Sequence, residues 1–235
     1  MTLNLKKCEF AKGEVRFVGQ LIGSGQRRVP PDRLKAVKDM KIPQSKKQVR
    51  QIMGFCAYFR DHIPNFSALA KPLTDLTAKR VSNQIPWGRV EESAFEKLKA
   101  ELCKAIDESL AIVDFTKPFT IHVDCSNYAA GAALAQPDWH KKERPVAFIS
   151  KKFNKTQQSW STIDKETFAT IRALGRFRNW IFGKPVTLFT DHNPINYLRD
   201  AAPKSAKLMR WALAIQQYDV TFCYKAGRTN VVADC

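Results

Sequence analysis

Lys117-Pro-Phe-Thr-Ile-His-Val-Asp124 and Lys184-Pro-Val-Thr-Leu-Phe-Thr-Asp191 are one frame used twice: Lys-Pro, a β-prone run, then an aspartate. Proline is least costly at a strand's first position, so the Lys-Pro lead fits strand entry. Alternation puts Phe119, Ile121 and Val123 on one face and Thr120, His122 and Asp124 on the other, with Thr187, Phe189 and Asp191 patterned likewise. If the two strands lie side by side and parallel, both aspartates reach the same edge of a sheet, where α/β sheets bind their ligands. The expectation is a metal site at that edge.

A third carboxylate comes from between the strands. Over Asp164 to Trp180, Glu166, Thr170, Ala173 and Phe177 fall on one helical face at i, i+4, i+7 and i+11. A glutamate at the start of a sheet-facing stripe points inward, and a buried charge needs a partner. No lysine or arginine shares the stripe, so a divalent cation would serve. Taken singly, each carboxylate has an ordinary explanation in turn chemistry or the helix macrodipole. The paired frame together with the inward glutamate points to a site.

At these residues the chain resembles a known family. Val123-Asp124-Cys-Ser-Asn-Tyr with Gly131-Ala-Ala-Leu-Ala-Gln136, Phe148-Ile-Ser-Lys-Lys152, Ser161-Thr-Ile-Asp-Lys-Glu166, Thr190-Asp-His-Asn193, Arg210-Trp211, Gln217-Tyr-Asp219 and Asn230-Val-Val-Ala-Asp234 resemble the ribonuclease H domain of gypsy-type long-terminal-repeat retrotransposons. Upstream, Lys7-Cys-Glu-Phe10, Phe17-Val-Gly-Gln20, Gln51-Ile-Met-Gly-Phe55, Tyr58-Phe-Arg60, Ile63-Pro-Asn-Phe-Ser67 and Lys71-Pro-Leu-Thr-Asp-Leu76 look like the end of the palm and the thumb of the same element's reverse transcriptase. The resemblance implies a mixed α/β, ribonuclease H-like fold, a five-stranded sheet of order 3-2-1-4-5 flanked by helices. It also implies metal-dependent endonuclease cutting of the RNA strand of an RNA/DNA hybrid. Two Mg2+ (or Mn2+) ions roughly 3.5–4 Å apart would prepare the attacking water and stabilise the leaving oxygen. Asp124 would bridge them, with Glu166, Asp191 and Asp234 completing the shells; oxygen donors without a Cys/His cluster favour magnesium or manganese over zinc. Ser126 and Asn193 are further candidate nucleic-acid contacts.

Two departures stand out. Cys125 occupies the place where the family carries alanine, and its thiol would be open to oxidation beside redox-active metals. The sequence ends at Cys235, one residue past Asp234, so the fourth carboxylate is expected on a frayed helix. The Tyr-x-Asp-Asp turn of a polymerising palm is missing, for the sequence holds no Asp-Asp pair. Polymerase activity is therefore not expected.

Breakers divide the chain into a β-hairpin palm remnant over 1–30 with its turn at Gly23-Ser-Gly25, a helical thumb over 31–84, a connecting helix within 85–110, and the ribonuclease H-like part over 111–235. Lys46, Lys47 and Arg50 on the thumb are candidate phosphate contacts, with a solvated helix face as the equal alternative. Lys plus Arg number 39 against 22 Asp plus Glu, a net +17 spread over both halves, which fits a polyanionic partner and its salt-sensitive binding. The six cysteines form no C-x-x-C pair and read as reduced thiols of an intracellular protein; the resemblance implies a cytoplasmic retroelement particle with nuclear entry. No membrane-length apolar run appears. Expected partners are the hybrid, a template-primer duplex and the rest of the Pol polyprotein. Three readings stay open: a hybrid endonuclease, a non-catalytic nucleic-acid-binding fragment, and a segment that works only inside a longer polyprotein.

Overall fold

The structure, a computed structural model, describes residues 8, 10–191, 197–198 and 205–225. Near the N-terminus, β1 (Glu14–Phe17), β2 (Gln20–Gly23) and β3 (Gln26–Arg28) form an antiparallel meander, and β4 (Leu110–Ala111) adds to β3. Both of its turns are two-residue loops with positive φ at each position, Val18-Gly19 (47° and 75°) and Ser24-Gly25 (49° and 70°), the geometry that matches strand twist. The hairpin expected over 1–30 thus has a second turn, hidden in the sequence because a β-branched valine rarely adopts φ > 0. Tyr58 holds that turn, its hydroxyl donating to the Val18 carbonyl.

The helical part follows. After α1 (Asp32–Lys38), Ser45 caps α2 (Lys46–Tyr58) by accepting from the Gln48 N–H (3.3 Å). A 3₁₀ turn (Arg60–His62) leads to two short helices, α3 (Phe66–Leu69) and α4 (Lys71–Asp75). Pro72, in the first turn of α4, lacks the N–H that a continuous helix would need there. In α5 (Arg89–Asp107), the Glu91 carboxylate accepts from the Gly88 N–H (3.1 Å), and Phe95, Leu98, Leu102, Ala105 and Ile106 line one buried face. That face shares a hydrophobic cluster with Val49, Phe59, Phe66 and Leu73.

The second sheet has the order β7-β6-β5-β8-β9, built from β5 (Phe119–Cys125), β6 (Ala129–Pro137), β7 (Glu143–Lys152), β8 (Val186–Thr190) and β9 (Val220–Tyr224). Numbered along this part of the chain the order is 3-2-1-4-5, as expected; β5–β6–β7 are antiparallel, while β5–β8 and β8–β9 are parallel. Connections between parallel strands need a crossover longer than a hairpin. That from β5 to β8 includes α6 (Lys155–Gln158) and α7 (Thr162–Ile181), and α8 (Ala206–Gln216) lies between β8 and β9. Small side chains on β6, Ala130 and Ala132, let α7 sit close, so that Ala169, Ala173, Leu174 and Phe177 join Ile121, Val123 and Leu188 in one core.

On the other sheet face, Leu110, Ala133 and Phe148 form a small apolar contact with the N-terminal region. Otherwise the seam is largely polar. Arg60 donates to the Ser150 carbonyl (2.8 Å), the Ser67 N–H donates to Ser150 Oγ (2.8 Å), and Ser150 Oγ donates to Ser67 Oγ (2.9 Å). Lys152 pairs with Asp75, and Arg176 lies 3.5 Å from Asp61.

Candidate active site

The repeated frame does what its pattern requires. In the parallel β5–β8 pair, Phe119 faces Val186 and His122 faces Phe189, so the same register carried two residues further sets Asp124 beside Asp191. Both aspartates are half-buried at that end of the strands. From the opposite layer, Ser161 caps α7 by accepting from the Asp164 N–H (3.2 Å), and the second turn directs Glu166 inward at 2% exposure. Cys125, whose side chain shares the α7-facing side with Val123, donates from Sγ to Glu166 Oε1 (2.8 Å). Burial, then the negative charges of Glu166, Asp124 and Asp191 together with that hydrogen bond, push the thiol's pKa far up. Three carboxylates from two strands and a helix are therefore close enough to act on one thiol.

The donors gathered here are carboxylate oxygens, the chemistry that suits magnesium or manganese. Among the described residues no three His, Cys, Asp or Glu side chains stand at ready-made metal-ligand spacing. Asp234 and Asn193 lie outside the described residues. Ser126 is exposed in the β5–β6 turn, where its hydroxyl accepts from the Tyr128 and Ala129 N–H groups (3.2 and 3.1 Å).

The cations at the start of α2 separate. Lys46 is buried and its ammonium donates to the Val81 carbonyl (2.9 Å), anchoring the segment that follows α4. This removes it as a phosphate contact. Lys47 and Arg50 are exposed, with Arg50 reaching the Thr77 carbonyl at 3.3 Å.

Sequence reasoning missed a neighbouring cleft of about 220 Å³ rimmed by Arg60, Lys151, Arg172 and Arg176, with Asp61 among them. Gly131, which faces Asp124 across β5–β6 and Ser150 across β6–β7, lies in its wall. At a strand spacing of about 4.8 Å, Ser150 is about 10 Å from Asp124. A side chain at Gly131 would run into Asn65 Oδ1, so the loop before α3 contacts the strand partner of the first aspartate directly. These cations come from three separate segments, which no local spacing could have grouped.

Residues 114–218 match the model of the RNase H-like domain found in reverse transcriptase. The whole chain aligns with the Pol polyproteins of the Drosophila melanogaster transposons opus (35% identical over 245 residues) and gypsy (30% over 244), covering 24% and 23% of their lengths. It is also 31% identical over 238 residues to the Schizosaccharomyces pombe transposon Tf2-3 polyprotein, covering 18% of it. The chain thus spans about a quarter or less of these relatives. Among solved structures, the foamy viral protease-reverse transcriptase in complex with RNA/DNA hybrid superposes with a TM-score of 0.76 at 20% identity, over 94% of this chain and 30% of that one. The same protein in complex with double-stranded DNA gives 0.77 at 21%, over 92% and 45%. By sequence and fold, the chain is similar to a segment of retrotransposon Pol polyproteins, and its residues 114–218 resemble the RNase H-like domain found in reverse transcriptase.

Proposed function

We propose that this chain is a metal-dependent endonuclease segment that hydrolyses the RNA strand of an RNA/DNA hybrid, working as part of a retroelement reverse transcriptase. The observation that carries the reading is the parallel β5–β8 register, which sets Asp124 beside Asp191 while Glu166 reaches the same corner from α7. Two bound Mg2+ or Mn2+ ions would supply an activated water and neutralise charge on the leaving oxygen. The protein's own part is positional. Asp124 is held by strand pairing, Asp191 follows directly on the last residue of β8, Glu166 is held by a capped and buried helix, and Asp234 is proposed as the fourth ligand. Arg60, Lys151, Arg172 and Arg176 border the site with positive charge suited to hybrid phosphates, and exposed Lys47 and Arg50 extend that field along α2. Ser126 and Asn193 remain proposed contacts beside the carboxylates. The similar foamy viral enzyme has been solved with an RNA/DNA hybrid, which supports the substrate class.

A labelled hybrid tests this. Asp124→Asn, Glu166→Gln and Asp191→Asn should each abolish cleavage in magnesium while leaving hybrid affinity nearly intact. Unchanged cleavage by Asp124→Asn would sink the assignment. The thiol bond on Glu166 Oε1 favours a second reading, a segment that binds hybrid without cutting it. Binding that survives EDTA, with no cleavage in magnesium by the unaltered chain, would select that reading.

A further inference from the structure

Trp139 is the most exposed large apolar side chain among the described residues, at 87%. It sits on the tip between β6 and β7, at the end of the sheet away from Asp124, about 20 Å along β5 at the usual rise per residue. Its tip is firmly tied. The Asp138 carboxylate accepts from the His140 and Lys142 N–H groups (2.8 and 2.9 Å), and the Asp138 N–H donates to the Lys142 carbonyl (2.8 Å). These bonds hold Lys141 at φ 62°, a conformation that side-chain-bearing residues rarely adopt. The indole is therefore presented on an ordered loop, with the His140 ring 4.4 Å from it on one side.

Beside the tip opens a cleft of about 360 Å³, a size suited to a small ligand group, lined by Gln26, Ile112, Lys117, Gln136, Trp139 and Arg144 among others. Its floor is rigid, because buried Gln136 accepts from the Asp114 N–H (3.0 Å) and donates to the Asp114 carbonyl (2.8 Å). The carboxylates of the patch are committed within the fold: Asp138 to its loop, Asp114 to the Thr116 N–H and hydroxyl (2.9 and 2.6 Å), and Glu143 to His122 (2.8 Å). Lys117, Lys141, Lys142 and Arg144 supply the cationic surroundings. An exposed indole amid cations, beside a nucleotide-sized cleft, matches the combination that binds unpaired strands: bases stack on the ring while phosphates meet the charges. A duplex offers no such base face, because its bases already stack on one another.

We infer that the β6–β7 tip and its cleft form a binding site for single-stranded nucleic acid, in which Trp139 stacks a base and Lys117, Lys141, Lys142 and Arg144 meet the backbone. The site goes beyond the cleavage reading and does not need it, so binding is measured in EDTA. Anisotropy of a labelled oligothymidine of about 12 nucleotides, within the range of one stacking platform, is the readout. Trp139→Ala should weaken binding about tenfold or more, Trp139→Phe should restore most of it, and Trp139→Leu should behave like alanine. Replacing Lys141 and Lys142 by alanine should flatten the log–log salt slope by about 0.7 for each phosphate no longer neutralised. A photoreactive iodouracil placed in the oligonucleotide should cross-link to Trp139.

Equal affinity of Trp139→Ala and the unaltered chain overturns the site. So does leucine performing as well as phenylalanine, which would make the side chain an apolar plug for a protein partner. Asp124→Asn should bind the oligonucleotide normally, so a chain that binds it but cuts no hybrid overturns the cleavage reading alone. Because the ring is exposed, unchanged circular dichroism is expected for every Trp139 variant.

Discussion

The two large hydrophobic clusters are built on different plans. Around the second sheet, a 20-residue helix lies along five paired strands, and its small residues bring backbone close to backbone. Around α2 and α5, short helices are broken at Ala70 and Pro72, and the cluster depends on α5, which arrives 14 residues after α4 ends at Asp75. A sheet fixes many side chains at once through its hydrogen-bond ladder, whereas short helices hold position only through packing. On the proposed function, carboxylates that must be held in place stand on the sheet and its long helix, while cations that need only reach a phosphate stand on the helical side and at the seam.

Charge removal gives the strongest contrast. Asp124→Asn should lower cleavage of a hybrid by two to three orders of magnitude or more, about the size expected for losing a preorganised electrostatic group. Asp61→Asn, which loses a loose 3.5 Å pairing with Arg176 across the seam and a charge attraction to Arg27, should change the rate by no more than a few-fold. Comparable losses in single-turnover assays would break the division of labour.

Core truncation sharpens it. Phe177→Ala and Phe59→Ala each remove a fully buried ring and should each cost about 3–5 kcal/mol in urea titrations. Hydrogen exchange should then separate them. Phe177→Ala should expose the amides of β5 and β6, while Phe59→Ala should leave these protected and loosen α2 instead. Loss of β5 protection in both would mean that the two clusters unfold as one.

At the seam, Gly131→Ala should displace Asn65 and cost about 1–3 kcal/mol, the usual range for crowding a packed position. Restoring room with Asn65→Gly should recover part of that loss in a double-mutant cycle; strictly additive losses would show that the two do not meet.

Weaker effects come from the exposed cations. Replacing Lys47 and Arg50 together should flatten the salt dependence of hybrid binding by up to about 0.9 for each phosphate they had neutralised, and adding Lys46→Ala should affect stability rather than the slope. A slope that responds only to Lys46 would reverse this assignment.

The mildest prediction concerns acid. Burial raises the Asp75 pKa, but hydrogen bonds and charge from Lys152 and Lys71 outweigh it and leave the carboxylate below its usual value. Its contribution to the seam is therefore complete above the unfolded pKa of about 3.9 and is lost as pH falls through the lower folded value. Asp75→Asn should remove that part of the acid dependence; an identical acid profile in the variant would show that Asp75 is not its source.

By itself the sequence determined the strands that carry Asp124 and Asp191, the helix that carries Glu166, and the face each presents. Those are periodic properties, and an alternation of two or a stripe at helical spacing is visible within a single segment. The retroelement motifs added the sheet order, which the structure reproduces. Only the tertiary structure decided that β4 completes the first sheet, that Lys46 turns inward to Val81, that Asn65 lies against Gly131, and that Arg60, Lys151, Arg172 and Arg176 share one cleft. These facts join residues far apart in the chain, and such partners are chosen by packing and by the hydrogen bonds that buried polar groups must find, which local spacing does not encode.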